Sequence, residues 1–414
     1  MNHRTFKISK KWTICILTAL IVQFVFLMVM SRMQFQDFPS DYLITYRPIA
    51  ENLLESGDYF KEEDIAFNYP PGYPLFVTVI LSLHQWTGIG ELRILQFVNV
   101  LIMTLNFVIV VLLFRQYFSP SVALTGGMLW LTYPFHLWLI RNPSSEIPFM
   151  LFLFVSLLMF VRGMKEQSVT AMLISGVFVG VAGLFRPIVI LYAIVLTAII
   201  FMQRGIDLRK KVIWSLAVCG AFLLTILPWE IIAWHQTHDI IPLSVAGPGA
   251  LIDGFGYAFR ADPSRVPEDV YRFMVTLKDH RYELHDSFSK VLSFLLDYFR
   301  SSPLTMLKLA ALKLVRPWYG TDSMWYETPI VIIQMLYLIP FAAGFYMNRK
   351  NERLKIFNRL AVLSILYFWI MTFLVLSILR YMIPVMVFLF AYIASFGHDI
   401  FQRMTGPKAK GSHG

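Results

Sequence analysis

Long apolar stretches alternate with short polar ones along most of the chain. Ten of them reach or approach the roughly 20 residues that a helix needs to cross the hydrocarbon core of a bilayer. They lie at residues 12–30, 94–114, 120–139, 145–161, 168–184, 187–203, 212–232, 329–347, 357–376 and 381–398. A segment inside lipid must satisfy its own backbone hydrogen bonds, so each is predicted to be a helix. The pattern predicts an all-α polytopic membrane protein with about ten transmembrane helices.

Two further apolar stretches do not fit as full crossings. Residues 73–88 are short and begin at a Pro-Pro-Gly-Tyr-Pro run, so we interpret them as re-entrant or interfacial. Residues 303–317 carry Lys308, Lys313 and Arg316 at near-helical spacing, which is typical of an amphipathic helix on the membrane surface. The first apolar run resembles a signal peptide, but it has no small-x-small cleavage pattern, and we interpret it as a retained anchor.

Composition supports the membrane class and the distribution of charge predicts the topology. The chain is 57% hydrophobic and 15% charged, which excludes an ordinary soluble domain. Of its 36 Lys and Arg residues, 19 lie in six short segments that the alternation of spans places on one side, and short basic loops stay in the cytoplasm. The net charge of +10 therefore reflects topology, and no nucleic-acid partner is predicted.

The first large loop has the opposite bias and should face outward. It carries eight acidic residues against three basic ones between residues 32 and 68. Both termini are then cytoplasmic. We predict one membrane domain over residues 1–400, with outer loops at 31–93 and 234–328, and a cytoplasmic tail at 401–414.

The cysteines and histidines do not predict a metal site. Cys15 and Cys219 both lie in apolar runs, so neither a disulfide framework nor a thiolate site is indicated. His235 and His238 are three residues apart, but no third ligand accompanies them. We expect a protein without a metal.

Several ionisable residues collect at the outer ends of the predicted helices. They are Asp37, Asp41, Arg93, Arg141, Glu146, Arg186 and Arg380. Charges at this depth are costly when unpaired, so the set is a candidate site. Arginine suits a phosphate, since its planar fork donates bidentate, charge-assisted hydrogen bonds. The alternative is that single arginines at helix ends are snorkelling at the headgroup layer and that single acids of the loop are solvated.

A family resemblance rests on eight sequence motifs. In chain order they read DFPSDYLITYRPIAENLLESGDY, NYPPGYPLF, ELRILQFVNVL, RNPSSEIPFMLF, GLFRPIVIL, LPWEIIAW, IPLSVAGPGALIDGFG and LRYMIPV. Together they resemble bacterial family 39 and related lipid-linked-sugar glycosyltransferases of the C-type fold. That group includes protein O-mannosyltransferases and the aminoarabinose transferases that modify lipid A.

The resemblance implies roles for the acidic residues and for one arginine. The family's catalytic aspartate lies shortly before a Tyr-x-x-x-Ala step, which Tyr46 and Ala50 match, so the base is Asp41 or, alternatively, Asp37. Glu146 matches the acid of a Ser-Glu step and is the third catalytic candidate, since it would orient the acceptor or the base. Arg186 matches an Arg-Pro turn. After Pro228-Trp229 an Arg-Asn pair is common in the family but absent here, so part of the pocket differs.

The implied function is an inverting transfer from a polyprenyl-phosphate sugar to a lipid, glycan or protein acceptor, outside an inner (plasma) membrane. The donor phosphate would be bound by Arg186, Arg380, Arg93 and Arg141. A stiff substrate loop would include Tyr46, Tyr69, Pro71 and Tyr73. Since the leaving group is a lipid phosphate, no cofactor or obligatory metal is expected.

Two other classes fit an outward cavity lined with charges. One is a flippase or transporter of lipid-linked sugars, for which broken helices near the midplane and repeated halves are typical. The other is a hydrolase of polyprenyl phosphates, which would release sugar or phosphate without an acceptor.

Overall fold

The computed structural model describes residues 10–31, 41–61, 63–238, 240–256, 262–285, 287–321, 324 and 326–405. In chain order the α-helices are α1 (Lys10–Ser31), α2 (Arg47–Ser56), α3 (Glu63–Ala66), α4 (Gly72–Thr87), α5 (Glu91–Phe114), α6 (Pro120–Leu131), α7 (Pro134–Leu139), α8 (Glu146–Glu166), α9 (Val169–Phe185), α10 (Tyr192–Phe201), α11 (Leu208–Thr237), α12 (Gly247–Gly256), α13 (Glu268–Asp279), α14 (Arg281–Leu284), α15 (Phe288–Ser301), α16 (Pro303–Val315), α17 (Glu327–Asn348), α18 (Lys355–Leu374) and α19 (Met386–Thr405). A π-helical segment at Tyr42–Tyr46 leads into α2, and 3₁₀ turns lie at Pro187–Val189, Arg316–Trp318, Glu352–Leu354, Leu379–Tyr381 and Ile383–Val385. The regular structure of these residues is helical throughout, which confirms the all-α class.

Within the described residues, seven helices are long and apolar enough to cross a membrane: α1, α5, α8, α11, α17, α18 and α19. The shorter apolar helices α6, α9 and α10 lie at the three other predicted spans. The chain is therefore a multi-pass helical membrane protein, as predicted.

One predicted span is not a continuous helix. Residues 120–139 form two helices, α6 and α7, which are separated by Thr132 and Tyr133. The cause is Pro134, since a proline disfavours the helical conformation in the residue before it, and Tyr133 is extended at φ −60° and ψ 122°.

The main core lies between the membrane helices. Helix α9 packs between α8 and α11, α5 packs against α8 and α6, and α19 packs against α6 and α17. Helix α1 packs on the outside of α5, where the Gln23 amide donates to the Thr104 hydroxyl at 2.9 Å. A polar pair of this kind fixes one helix against another where lipid offers no hydrogen-bond partner.

A second hydrophobic core is formed by α12 to α16, and we call these helices the accessory region. Val270, Phe273, Leu277, Val291 and Leu309 are fully buried in it. Since the cluster is separate from the main core, the accessory region packs around its own apolar side chains.

Helix α16 corrects the sequence interpretation of residues 303–317. A helix is present, but Lys313 is fully buried and Arg316 is 2% exposed, so these two charges do not form a solvated face. Both cations donate hydrogen bonds to backbone carbonyls, which replace the water they have lost.

Candidate active site

Three amide side chains of α5 hold the segment that leads into α8. Gln96 donates to a backbone carbonyl of residues 141–147 at 2.9 Å, and Asn99 and Asn106 each donate to another at 3.2 Å. Their spacing of three and seven residues places them on one face of the helix. This ladder fixes the turn before α8 and, with it, the first residue of that helix.

Glu146 is that first residue, and it is the most enclosed charge of the site. Its side chain is 1% exposed. Arg186 contacts it at 2.5 Å, and Arg380 binds it through Nε and, at 3.2 Å, through Nη2. The Ser144 hydroxyl donates to its second oxygen at 2.8 Å. A buried carboxylate needs partners of this kind, and here both oxygens have them.

Arg186 ends α9 in an extended conformation, at φ −148° and ψ 123°, because Pro187 follows it. The backbone therefore turns away and leaves the side chain at the charged end of the helix. Its guanidinium donates to the Ser145 hydroxyl at 2.9 Å and lies 5.1 Å from the ring centre of Tyr381. Both contacts hold the fork beside Glu146.

Arg380 joins the two acidic residues. It lies in the 3₁₀ turn before α19, and besides Glu146 it approaches Asp41, with 3.7 Å between Nη2 and Oδ2. The Asp41 side chain is 22% exposed, and its Oδ1 accepts the Tyr42 backbone N–H at 3.1 Å. We call Asp41, Glu146, Arg186 and Arg380 the charged cluster. In it Glu146 is enclosed by its partners, whereas Asp41 stays accessible.

Three tyrosines form one wall of the charged cluster. The Tyr46 ring lies 4.9 Å from that of Tyr69 and 4.8 Å from that of Tyr73. Burial, together with the nearby Asp41 carboxylate, raises the pKa of Tyr69 to about 12 and the pKa of Tyr46 well above its usual value. Both phenols are therefore protonated at neutral pH and able to donate a hydrogen bond.

The predicted substrate loop is shorter than expected. Tyr69 and Pro71 precede α4, but the helix begins at Gly72, and Tyr73 is buried within it. A Cβ at Gly72 would lie 2.6 Å from the Leu184 carbonyl oxygen, so the loop packs directly on the backbone at the end of α9. This close approach ties the loop to Arg186, two residues further along the chain.

A second polar network, which the sequence pattern did not predict, adjoins the charged cluster. The Tyr42 hydroxyl donates to Glu91, and Arg47 Nε lies 3.3 Å from the other oxygen of Glu91. Arg47 also pairs with Glu51 at 3.1 Å. The network holds the π-helical segment that follows Asp41, and π-helical turns occur frequently at functional sites.

The remaining predicted residues are placed as follows. Arg141 is buried before α8, where its Nε donates to Asn142 at 3.3 Å and its guanidinium lies over Trp138. Arg93 is exposed on α5 and forms no ion pair with the described residues. Asp37 lies outside the described residues. Among the residues that the structure describes, no group of three or more His, Cys, Asp or Glu side chains is arranged to hold a metal ion.

Residues 68–230 match the dolichyl-phosphate-mannose-protein mannosyltransferase family, and this match includes Glu146 and Arg186. The archaeal oligosaccharyltransferase AglB from Archaeoglobus fulgidus, solved with an inhibitory peptide and a dolichol-phosphate, is similar in structure over 97% of this chain, with a TM-score of 0.54 and 12% identity. The chain has the C-type glycosyltransferase fold. The resemblance predicted from the sequence is thereby confirmed.

The similarity covers only part of the larger protein. The chain spans about half of AglB, since 53% of that protein is matched. The apo form of the Archaeoglobus fulgidus oligosaccharyltransferase gives a TM-score of 0.53 at 12% identity, over 98% of this chain and 53% of that one. ArnT from Cupriavidus metallidurans, solved with undecaprenyl phosphate, has 17% identity and a TM-score of 0.44 over 95% of this chain and 78% of that one. No curated protein matches the chain in sequence.

Proposed function

We propose that the chain is a membrane glycosyltransferase that moves a sugar from a polyprenyl-phosphate donor to an acceptor hydroxyl or amine. The observation that carries the proposal is the position of Arg380, whose guanidinium contacts both the accessible Asp41 and the buried Glu146. The name of the matching family includes dolichyl-phosphate-mannose, and AglB was solved with a dolichol-phosphate and a peptide. These descriptions support a lipid phosphate as donor carrier.

In the proposed reaction Asp41 is the general base. It takes the proton of the acceptor as the acceptor oxygen or nitrogen bonds to the anomeric carbon, on the face opposite the phosphate, which inverts that carbon. The electron pair of the broken glycosidic bond stays on the lipid phosphate, whose negative charge rises by one. Asp41 loses one negative charge in the same step, so the net charge around Arg380 is unchanged.

Arg186 and Arg380 would bind the phosphate and stabilise the charge that develops on it. Fixed cations are effective in this role because they need no reorganisation during the reaction. Glu146 is enclosed by its partners, so we propose that its role is to orient the two arginines. Tyr46 and Tyr69 would donate hydrogen bonds to the sugar or the phosphate. A phosphate-binding role for Arg93 and Arg141 stays a prediction.

We further propose that the site faces the extracytoplasmic side of the inner (plasma) membrane and that both termini are cytoplasmic, from the charge bias of the loops. An Asp58→Cys variant without the two natural cysteines tests this, since Asp58 is exposed shortly after α2 in the first large loop. Labelling of intact cells by a membrane-impermeant maleimide is the expected result. Labelling only after the cells are opened would contradict the proposed orientation.

The function is tested with purified protein in liposomes, supplied with a panel of polyprenyl-phosphate sugars and with lipid, glycan and peptide acceptors. We expect transfer to an acceptor with an inverted anomeric carbon, and transfer that persists in a chelator because the arginines supply the positive charge. Movement of donor across the bilayer without any change of bonds would make the chain a transporter. Release of free sugar regardless of acceptor would make it a hydrolase.

A further inference from the structure

The backbone just before Arg380 is contacted by α12, by α16 and by the turn after α16. Residues 374–379, which we call the linker, run from the last residue of α18 to the first residue of the 3₁₀ turn that carries Arg380. Residues 375–378 between these elements have no regular structure and few hydrogen bonds of their own, so their position depends on their neighbours.

Lys313 of α16 makes the first of these contacts. Its side chain is fully buried, and its ammonium group donates to the carbonyls of Gly254 and, at 2.9 Å, Val375. The same ammonium lies 4.6 Å from the ring centre of Phe255, so it is also placed for a cation–π contact. One buried lysine therefore ties α16, α12 and the linker together.

Helix α12 meets the linker backbone directly. A Cβ at Gly254 would lie 2.6 Å from the Val375 carbonyl oxygen and 2.7 Å from that of Leu374. Only glycine permits this approach, which brings two carbonyls, those of Gly254 and Val375, within reach of one ammonium.

The turn after α16 makes two further contacts. Arg316 Nη1 lies 3.4 Å from the Ser377 carbonyl, and the carbonyl of Gly320 accepts the Leu379 backbone N–H at 2.8 Å. Arg316 is itself oriented by Glu327 at 2.8 Å. The linker is thus bound at residues 375, 377 and 379, and Arg380 follows at once.

We propose that Lys313 and Arg316 are positioning residues for Arg380. Through the linker they fix where its guanidinium meets Asp41 and Glu146, and they connect the accessory region to the charged cluster. Movement of α12 or α16 is then transmitted to Arg380. The consequence for sugar transfer rests on the function proposed above, whereas the restraint on the linker does not.

The first test is hydrogen exchange of the full chain in nanodiscs, which needs no activity. Lys313→Met removes the ammonium but keeps the length of the side chain. Lys308→Met is the matched control, because Lys308 lies on the same helix but contacts Asp269 at 2.9 Å instead of the linker. We expect exchange over residues 375–381 to be about tenfold faster with Lys313→Met, from the loss of a buried hydrogen bond to the linker, and unchanged with Lys308→Met. Unchanged exchange in Lys313→Met would overturn the proposal.

The second test separates positioning from a general loss of structure. Binding of undecaprenyl phosphate is compared in Lys313→Met, Arg380→Met and the double variant. If Lys313 acts through Arg380, its substitution weakens binding alone but adds nothing once Arg380 is gone. Additive losses would contradict the proposal.

Gly254→Ala is the second variant in case Lys313→Met does not fold. It disturbs the same contact from the side of α12, so it must give the same pattern of binding losses. Absence of transfer in the wild-type chain, with the exchange result intact, would refute the function and not the restraint.

Discussion

The charged cluster and the accessory region, which the linker connects, differ in how their ion pairs are held. In the charged cluster the carboxylate of Glu146 is 1% exposed and is shared by two arginines, one at the end of α9 and one in the 3₁₀ turn before α19. In the accessory region Asp253 and Arg281 also form a bidentate pair, but their side chains are 30% and 41% exposed. Arginine–carboxylate pairs therefore serve different purposes in the two regions. The buried set is costly to assemble and fixes a geometry, whereas the exposed pair is screened by water.

The largest effect on stability is expected for Glu146→Gln. The substitution keeps the volume but leaves two arginines facing each other without their carboxylate. We expect the free energy of unfolding to fall by about 3 kcal/mol, measured by detergent titration in mixed micelles. Glu166→Gln, at the exposed end of the same helix, should change it little. Equal stability of both variants would mean that the buried set is not a structural unit.

Arg380→Met should affect function more than stability, because its partner Glu146 keeps Arg186. We expect the rate of transfer to fall by about 10²–10³-fold, the range for loss of one stabilising cation or donor. Arg380→Lys should retain only part of the transfer rate, since an ammonium lacks the planar fork with which a guanidinium contacts Glu146 and Asp41 together. Full activity in Arg380→Lys would contradict the shared geometry.

Gly72→Ala should lower the free energy of unfolding by a smaller amount, because it disturbs the packing of the loop on the backbone just before Arg186. The added methyl group would lie 2.6 Å from the Leu184 carbonyl oxygen, and overpacking of this kind costs about 1–3 kcal/mol. The control is Gly90→Ala, where the methyl group meets open space. Thermal unfolding of both variants in detergent gives the comparison, and identical midpoints would show that the close approach is not required.

The smallest effect is expected for Asp253→Asn in the accessory region. An exposed pair contributes about 0.2–1 kcal/mol, so the free energy of unfolding should change by no more than that. The same titration used for Glu146→Gln measures it. A loss as large as that of Glu146→Gln would remove the distinction between the two regions.

Hydropathy and charge predicted the membrane fold, and the four members of the charged cluster are among the seven charged residues named at the helix ends. Arg93 and Arg141 are not part of the cluster, and Asp37 lies outside the described residues. The ten apolar stretches correspond to helices, and Asp41, Glu146, Arg186 and Arg380 were named because charges at helix ends are costly without partners. These predictions rest on local patterns. The break at Tyr133 was signalled by Pro134 and was missed because the apolar run continues through it.

The contacts of other residues could not be predicted from local patterns. Lys313 meets residues 59 and 62 positions away in the chain, and only the fold brings them together. Gln96, Asn99 and Asn106 did carry a signal, since three amides on one face of an apolar helix require partners. The accessory region has ordinary amphipathic helices such as α13 and α15, which predict a core but not a ligand.

The central claim is that Asp41 is the base of a sugar transfer, and Asp41→Asn tests it most directly. Asp37→Asn tests the alternative base, and Asp58→Asn is the control, since Asp58 is an exposed acid of the same loop. Single-turnover transfer is measured together with binding of the polyprenyl-phosphate sugar. We expect Asp41→Asn to lose about 10²–10⁴-fold in rate with binding retained, and the other two variants to stay active. Full activity of Asp41→Asn, or the same loss in Asp37→Asn alone, would contradict the account.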